Sequence, residues 1–372
     1  MHDGATEILT ASPERATPPC PHFGICGGCA LQHWRDAEYI AWKSNLLEAA
    51  LHRAGFSAVT ISTPARTPPR SRRRMDLAIR RHGGTLTLGL HASRGPAVVD
   101  LHACHVLHPA LFALIEPLRQ TLRSLSALRR EGSAVVNLLD SGPDLLLRTD
   151  ADATAADRTR LTEFARAHGL PRISVARDGA VPETACLLRP PVVAFTGIAV
   201  SPPPGAFLQA SREGEQAIVA AVLAGLPAKG RIAELYSGCG TLTFAMARRA
   251  RIAAFEGDAA TVIALRSAAN TAGLAGRTEV QQRDLARRPV SAKELAAFAA
   301  VVLDPPHAGA AAQVAEIAAS RLPRVLYVSC NPATLARDSR MLRQGGFQVV
   351  AAVPVDQFLW SSRLESVVVF AR

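Results

Sequence analysis

Three cysteines lie within ten positions in the stretch CPHFGICGGC, near the beginning of the sequence. Thiolates bind soft metals, and a fourth ligand would complete a tetrahedral set with Cys20, Cys26 and Cys29. Cys104, in VVDLHACHVLHP, can supply that ligand across a long loop. Four thiolates hold either a zinc ion or an iron–sulfur cluster, and the spacing alone slightly favours zinc. We therefore predict that these four cysteines form a metal site.

A second group of residues follows apolar segments in the C-terminal half. The turn in ELYSGCGTLTF contains Gly238 and Gly240, which would let the backbone turn tightly and approach a ligand. Acidic residues end the next three apolar segments, namely Glu256, Asp284 and Asp304. Because parallel strands end at one edge of a sheet, these carboxylates should line one crevice, where Glu256 could bind two ribose hydroxyls. The turn is not GxGxxG, so we do not expect a dinucleotide.

A single cysteine, Cys330, ends a further apolar segment in YVSCNPATLARD, and Asn331-Pro332 then begins a helix. A thiol between a strand end and a helix N-terminus lies in the crevice, and the helix dipole favours its thiolate. Free cysteines are usually buried structural residues, and Cys186 and Cys239 fit that alternative better. We predict that Cys330 is a nucleophile.

Two kinds of domain are needed to position these residues. Residues 1–19 are small, polar and proline-containing, and we expect a disordered tail. Residues 36–54 have apolar positions at helical spacing and end at Gly55, which predicts an amphipathic helix that can pack on the catalytic domain. From residue 75 to about 204, short apolar segments alternate with turns, which predicts a mostly β domain with one helix over 155–168.

The pattern changes at residue 205. Seven apolar strands follow, and helical stretches separate most of them: IAELYSG, RIAAFEGD, TEVQQRD, AVVLDPP, RVLYVSC, FQVVAAVPVD and LESVVVFA. This alternation predicts a doubly wound, mostly parallel seven-stranded sheet, with the last two strands as a hairpin at one edge. The predicted fold is α/β, with a Rossmann-like domain over 205–372 and a domain over 20–204 that holds the cysteine segment and the central β-rich part.

The glycine turn, the acid after the second strand and LDPPHAG together resemble the class I S-adenosylmethionine methyltransferases. Beside a sulfonium methyl donor, a thiolate has a specific use. Its addition to C6 of uracil gives C5 carbanion character, so that C5 can take the methyl group. A base must then remove the C5 proton so that the thiolate can leave. Glu365 in RLESVVVF, at the beginning of the last strand, is the natural candidate.

Five motifs, in this order, resemble the RNA (uracil-5-)-methyltransferase family: FLQAS, ELYSGCGTLTF, LDPPHAG, YVSCNPATLARD and RLESVVVF. The resemblance covers residues 20–372 and implies S-adenosylmethionine-dependent methylation of a uridine in RNA. It implies Cys330 as nucleophile and Glu365 as base. It also implies a set of cofactor-binding residues, which are Gln209, Tyr236, Thr241, Glu256, Asp284 and Asp304. The chain departs from the family at Thr241, where Asn is frequent, and at His307, where Arg is usual.

The pattern C-x5-CGGC-x2-Q, followed later by a lone cysteine, resembles the [4Fe–4S] segment of one branch of this family. This implies a cluster with a structural role at Cys20, Cys26, Cys29 and Cys104. Many relatives have a β-barrel RNA-binding domain before the cluster, and we expect this chain to lack it. The branch favours 23S ribosomal RNA as substrate, with uridine 54 of transfer RNA as the alternative. An amino-group methyltransferase that uses DPPH and a non-catalytic RNA-binding protein are further alternatives.

The charge balance also favours nucleic acid, since 42 Lys and Arg against 31 Asp and Glu give a net charge of +11. Arg66, Arg70 and the run Arg72–Arg74 could hold phosphates. The sequence has no stretch of about 18 apolar residues, so no membrane-spanning helix is predicted. The first residues lack a signal pattern, and seven cysteines in 372 residues do not indicate a disulfide scaffold. We expect a cytoplasmic monomer.

Overall fold

The computed structural model describes residues 10–372. Its helices are α1 (Asp36–Arg53), α2 (Pro109–Phe112), α3 (Ile115–Arg123), α4 (Ala155–His168), α5 (Arg212–Gly225), α6 (Thr241–Ala247), α7 (Ala259–Thr271), α8 (Ala292–Leu295), α9 (Ala311–Ala319) and α10 (Pro332–Gln344). Within these residues, no helix is long and apolar enough to cross a membrane.

The strands belong to a central sheet, a C-terminal sheet and one small hairpin. They are β1 (Ala65–Arg66), β2 (Arg74–His82), β3 (Thr85–His91), β4 (Val98–Asp100), β5 (Glu131–Leu139), β6 (Gly142–Thr149), β7 (Arg172–Arg177), β8 (Glu183–Leu187), β9 (Val193–Phe195), β10 (Ile198–Val200), β11 (Arg231–Leu235), β12 (Arg251–Glu256), β13 (Thr278–Gln282), β14 (Ala300–Leu303), β15 (Arg324–Ser329), β16 (Gln348–Asp356) and β17 (Glu365–Ala371).

The C-terminal sheet has the order β1-β16-β17-β15-β14-β11-β12-β13. Strands β11 to β15 pair in parallel, and β17 is antiparallel to both β15 and β16. All seven predicted strands are present, and the hairpin of the last two is confirmed. The sheet nevertheless has eight strands among the described residues, because the two-residue β1 pairs with β16 from before the central domain. The hairpin is therefore not at the edge, and β17 is an interior strand.

The central sheet has the order β4-β3-β2-β5-β6-β7-β8. Its one parallel pair in the described residues, β6 with β7, is joined by α4, whose predicted range is confirmed. The mostly β character is also found. The prediction of a single helix is wrong, because α2 and α3 follow β4. Leu118 and Leu122 of α3 are buried in the domain core, so the apolar residues of this segment form the buried face of a helix and not a strand.

The residues before the central domain are part of the C-terminal core. Leu47 and Leu51 of α1 are buried together with Leu235 and Val301 of the C-terminal sheet, which agrees with the expected packing of this helix. Lys43 forms a buried ion pair of 2.8 Å with Asp356 at the end of β16. Helix α1, which precedes the central domain in sequence, therefore packs on the C-terminal domain.

The described part of the predicted disordered tail makes backbone contacts. Arg15 forms an antiparallel bridge with Trp34, and the backbone N–H of Arg35 donates to the carbonyl of Glu14 over 2.8 Å. Residues 10–19 thus differ from the prediction, because the segment beside α1 pairs with them. Residues 1–9 lie outside the described residues.

Candidate active site

The carboxyl edge of the C-terminal sheet brings the predicted polar residues together. Leu235, Leu303 and Tyr327 are paired in register across β11, β14 and β15. Strands in register end side by side, so the residues that follow them share one edge. Asp304 follows Leu303 directly, and Cys330 is three residues beyond Tyr327.

The antiparallel strand β17 adds Glu365 to the same edge. Ser329 of β15 pairs with Ser366 of β17. The next position on each strand is Cys330 on one side and Glu365 on the other. Because β17 runs against β15, its first residue lies where β15 ends. The register therefore places the predicted nucleophile beside the predicted base.

Cys330 is half-buried, and its thiol ionises less readily than that of an ordinary cysteine. Burial, followed by repulsion from Glu365 and Asp304, raises the pKa of Cys330 to about 11. That the helix N-terminus favours the thiolate stays a prediction; a backbone hydrogen bond of Cys330 lowers the pKa of the thiol, but burial and the two carboxylates outweigh it. The side chain of Asn331 already accepts a hydrogen bond from Ala333 N at the start of α10, over 3.0 Å.

Glu365 is a buried carboxylate with only 3% of its surface exposed. Its Oε2 accepts a hydrogen bond of 2.8 Å from Gln357 Nε2. Its Oε1 is buried and has no hydrogen-bond partner. Burial and repulsion from Asp304 raise the pKa of Glu365 well above its ordinary value, while the Gln357 hydrogen bond opposes the rise. The free oxygen and the raised pKa suit a group that takes up a proton.

Asp304 is tied to Gln209, another residue predicted for cofactor binding. Gln209 is buried, and its Nε2 donates to Asp304 Oδ2 over 2.9 Å. Burial raises the pKa of Asp304 to about 6, and the hydrogen bond from Gln209 opposes this change. His307, where the family usually has Arg, is exposed, and its carbonyl accepts a hydrogen bond from Asn331 Nδ2 over 3.0 Å.

The glycine turn after β11 has a strained backbone. Tyr236 has φ 62°, which is rare for a residue with a side chain, and Gly240 has φ 102° just before α6. Thr241 is half-buried in the first turn of α6. Burial, with smaller effects of nearby carboxylates, raises the pKa of Tyr236 to about 12. The turn thus presents Tyr236 and Thr241 at the same edge as Asp304.

The two remaining predicted acids hold backbone N–H groups. Glu256 Oε2 accepts from Gly238 N over 2.9 Å, so it connects the end of β12 to the glycine turn. Its Oε1 accepts from the backbone of residues 257 and 258, and Oε2 keeps capacity for a further donor. Asp284 is exposed, and its Oδ1 accepts from Ala286 N over 3.0 Å in its own turn. Asp284 lies close enough to Tyr236 to affect its pKa.

Three polar residues of this region were missed in the sequence. Gln357 donates one hydrogen bond to Glu365 and another to Gln209, and so links the two side chains. Asp338 is fully buried and accepts from the Tyr327 hydroxyl over 2.6 Å, which fixes α10 against β15. Burial raises the pKa of Glu234 to about 8. A carboxylate inside the apolar strand IAEL was a usable signal for Glu234, whereas Gln357 and Asp338 had none.

The four predicted ligand cysteines line one cavity of about 320 Å³ beside the central sheet. Backbone N–H groups point at two of the sulfurs: Gly28 N donates to Cys26 Sγ, and Leu107 N donates to Cys104 Sγ over 3.5 Å. Burial is the main cause that raises the pKa of Cys29 to about 11, and the other thiols add to it. In the described residues, no group of three or more His, Cys, Asp or Glu side chains is placed to hold a metal ion.

The other walls of this thiol cavity come from two distant segments. Arg72 lines it, and interactions with Cys104 and Cys29 favour its charged form against the burial that lowers its pKa. Arg363 lines it from the loop between β16 and β17. This loop runs directly into Glu365, so the thiol cavity and the sheet edge share one segment of chain.

The arginines expected to contact RNA are mostly engaged within the protein. Arg73 is buried in an ion pair with Glu215, and Arg66 binds Asp36 through two hydrogen bonds of 2.7 Å. Arg74 donates to the carbonyl of residue 206 over 2.8 Å, and Arg72 faces the thiol cavity. Only Arg70 of the predicted set is exposed without such an internal bond among the described contacts. A run of arginines therefore does not by itself predict a free cationic surface.

Comparisons with known proteins place these features in a family context. The model of the tRNA (uracil-5-)-methyltransferase family matches residues 205–372. An uncharacterized RNA methyltransferase of Caulobacter vibrioides is 39% identical over 100% of this chain and 90% of its own length. One of Brucella suis biovar 1 is 37% identical over 98% of this chain and 86% of its own. The 23S rRNA (uracil(1939)-C(5))-methyltransferase RlmD of Pectobacterium atrosepticum is 35% identical, over 99% and 83%.

The fold is also similar to a solved structure. The Pyrococcus abyssi tRNA (uracil-54, C5)-methyltransferase, in complex with S-adenosyl-L-homocysteine, superposes with a TM-score of 0.73. The superposition covers 98% of this chain and 88% of that protein at 20% sequence identity. The similarity extends over the central and C-terminal sheets alike.

Proposed function

The chain belongs to the RNA (uracil-5-)-methyltransferase family, and from this premise we propose that it methylates C5 of a uridine in 23S ribosomal RNA. The resemblance predicted from the motifs is thereby confirmed, and the protein is an RNA (uracil-5-)-methyltransferase. The proposal adds the RNA, the covalent mechanism and the residues that carry it.

The observation that carries the mechanism is the register of β15 and β17, which puts Cys330 beside Glu365. Cys330 Sγ attacks C6 of the uracil, and the electrons of the C5–C6 bond move toward the ring carbonyl. C5 would then take the methyl group of S-adenosylmethionine, whose S–CH3 bond would break to leave S-adenosylhomocysteine. Glu365 removes the C5 proton through its unpartnered Oε1, the C6–S bond breaks, and the thiolate is released.

S-adenosylmethionine, when bound at this edge, supplies an electrophilic methyl group and a positive charge that favours a nearby thiolate. Glu256 has acceptor capacity for a donor group of such a ligand. Tyr236 and Thr241 line the turn that a nucleoside would approach. Asp304, held by Gln209, keeps a polar group between this turn and Cys330.

Ribosomal RNA is favoured as substrate because the RlmD relative, which is named for a 23S rRNA uracil, aligns over most of both chains. A uracil in folded RNA must leave its stack to reach Cys330. Phe207 is 68% exposed and lies two residues before Gln209, where it can stack on an unpaired base. The net charge of +11 supplies general attraction to phosphates.

The decisive test uses RNA in which uridine is replaced by 5-fluorouridine. Fluorine cannot leave as a proton does, so incubation with S-adenosylmethionine should trap a covalent complex. Mass spectrometry of digested complex should place the RNA on Cys330, and sequencing should place the modified base in a 23S fragment. If the complex forms with transfer RNA instead, the proposal of ribosomal RNA as substrate is contradicted. If no complex forms, the proposed covalent mechanism is contradicted.

We further propose a [4Fe–4S] cluster in the thiol cavity. The four thiols are among the residues that line one cavity of about 320 Å³. The pattern C-x5-CGGC-x2-Q, which resembles the [4Fe–4S] segment of one branch of the family, favours a cluster over a zinc ion. Backbone N–H groups at two sulfurs and the guanidinium of Arg72 would offset the negative charge of the thiolates.

Anaerobic purification tests the cluster directly. We expect about four iron and four sulfide per chain, from the composition of the cluster, and a broad absorption band that dithionite bleaches. One zinc per chain and no iron would contradict it. A cytoplasmic location and a monomeric state remain predictions, and size-exclusion chromatography with light scattering tests the latter.

A further inference from the structure

Gln357 is the first residue after β16, and it faces the sheet edge rather than solvent. It is buried, with 3% of its surface exposed. Its Nε2 donates to Glu365 Oε2 over 2.8 Å and to Gln209 Oε1 over 2.7 Å. One amide group therefore joins the predicted base to the residue that holds Asp304.

The orientation of this amide is fixed by its other atom. Gln357 Oε1 accepts from Ala210 N over 2.9 Å, so its NH2 group must point toward the two acceptors. Gly214 of α5 closes the opposite side, since a Cβ at that position would lie 2.7 Å from Gln357 Cβ. The side chain is thus held from both its polar end and its aliphatic part.

We propose that Gln357 is a positioning residue for Glu365, and that it turns the free Oε1 toward the C5 proton. This inference rests on the proposed function. A hydrogen bond to Oε2 leaves Oε1 as the oxygen of Glu365 that has no partner among the described contacts and is therefore the freer of the two to take a proton. It also stabilises the ionised carboxylate, which is the form that acts as a base.

The charges around Glu365 give this bond its importance. Asp304, directly after β14, repels a charged Glu365, and Cys330, directly after β15, becomes a second anion during the proposed reaction. Arg363, before β17, acts on Cys330 in the opposite sense. The bond from Gln357 is the side-chain hydrogen bond that lowers the pKa of Glu365 against burial and Asp304. Its loss should keep the base protonated to a higher pH.

The test separates formation of the covalent adduct from its release. Gln357→Met keeps the length of the side chain and removes its hydrogen bonds. With 5-fluorouridine RNA, we expect the adduct to form within about threefold of the wild-type rate. With uridine RNA, release of methylated product should slow by about tenfold or more, so that adduct accumulates. The acid limb of the release rate should move to higher pH.

Gln313→Met is the matched control. Gln313 is also fully buried, and its amide exchanges two hydrogen bonds with the backbone of Val290 rather than with Glu365 or Gln209. We expect Q313M to lower thermal stability without adduct accumulation or a shifted pH limb. If Q357M does not fold, Gly214→Ala tests the same idea, because the new methyl group would displace the Gln357 side chain. Gly214 lies in helix α5, where alanine is a favourable residue.

Each outcome decides one proposal. If the wild type forms no adduct with 5-fluorouridine RNA, the covalent mechanism itself fails. If the wild type forms it and Q357M slows formation and release equally, or leaves the pH limb in place, Gln357 is only structural and this inference is overturned.

Discussion

The sheet edge and the thiol cavity both contain cysteines that are at least partly buried, yet the surroundings of these cysteines are opposite. At the edge, Cys330 stands among carboxylates, and repulsion from Glu365 and Asp304 adds to burial. In the cavity, Cys29 stands among other thiols, with Arg72 as a cationic wall. Burial and like-charged neighbours bring the pKa of both thiols to about 11.

The comparison teaches that a raised thiol pKa does not define a role. In the cavity, the proposed cluster would displace the thiol protons, so that the thiols would stay ionised as ligands. At the edge, the proposed mechanism needs a thiolate at the moment of attack on C6, and a cationic ligand beside Cys330 would favour that form. Glu365 Oε1 is a buried carboxylate oxygen without a partner, and among the described residues none of this kind lines the cavity. That oxygen is the difference between the proposed reaction centre and the proposed binding site.

The substitution Cys330→Ala should have the largest effect. Without the sulfur, C5 is not activated, and we expect methylation to fall by at least about a thousandfold. Tritium transfer from labelled S-adenosylmethionine to RNA measures this. Cys186→Ala, in β8 of the central domain, is the matched control and should stay within about twofold of wild type. Substantial methylation by C330A would favour methylation of an amino group and would contradict the role of Cys330 as a nucleophile.

The substitution Glu365→Gln should have the next largest effect, and of a different kind. The amide keeps the shape but cannot take the C5 proton, so turnover should fall by about a hundredfold or more. Denaturing gels should show the RNA adduct accumulating with ordinary uridine, unlike C330A. Equal loss of adduct and turnover would mean that Glu365 only supports the fold.

The pH dependence should distinguish the two steps at the edge. Adduct formation needs the Cys330 thiolate, whose pKa is about 11, so its rate should rise about tenfold per pH unit through neutrality. Release needs ionised Glu365, and its acid limb should lie above that of an ordinary carboxylate because the pKa is raised. Stopped reactions at a series of pH values measure both. A release rate that is flat above pH 5 would contradict the raised pKa.

The substitution Cys29→Ser should have the smallest effect on chemistry. We expect lost iron and a thermal midpoint several degrees lower, because the proposed cluster would link the segment before α1 to the central sheet. Methylation per folded molecule should remain within about threefold. Cys186→Ser controls for loss of any buried thiol. A fall in activity as large as that of E365Q would show that the cavity takes part in catalysis and would remove the distinction.

The sequence predicted the edge well because its residues stand at strand ends. Asp304, Cys330 and Glu365 each border an apolar strand, and parallel topology then requires a common edge. Cys104 could be chosen as the fourth thiol because a three-cysteine set lacks one ligand. In both cases a chemical rule replaced knowledge of the three-dimensional contacts.

The rest depended on partners that no local pattern announces. Gln357 gains its meaning from Gln209, which lies 148 positions away. Arg73 looked like a phosphate ligand, but Glu215, 142 positions away, pairs with it in the interior. The two-residue β1 is too short to show a periodic pattern in the sequence. Its position in the sheet is known only from its pairing with the outer side of β16.

The interior position of β17 has a consequence for how the chain is made. Strand β17 lies between β15 and β16 and begins with Glu365. The central sheet can close early, since all its strands precede residue 188. The C-terminal sheet cannot close until β17 has been made, so a product cut short before residue 365 would lack both an internal strand and the proposed proton acceptor.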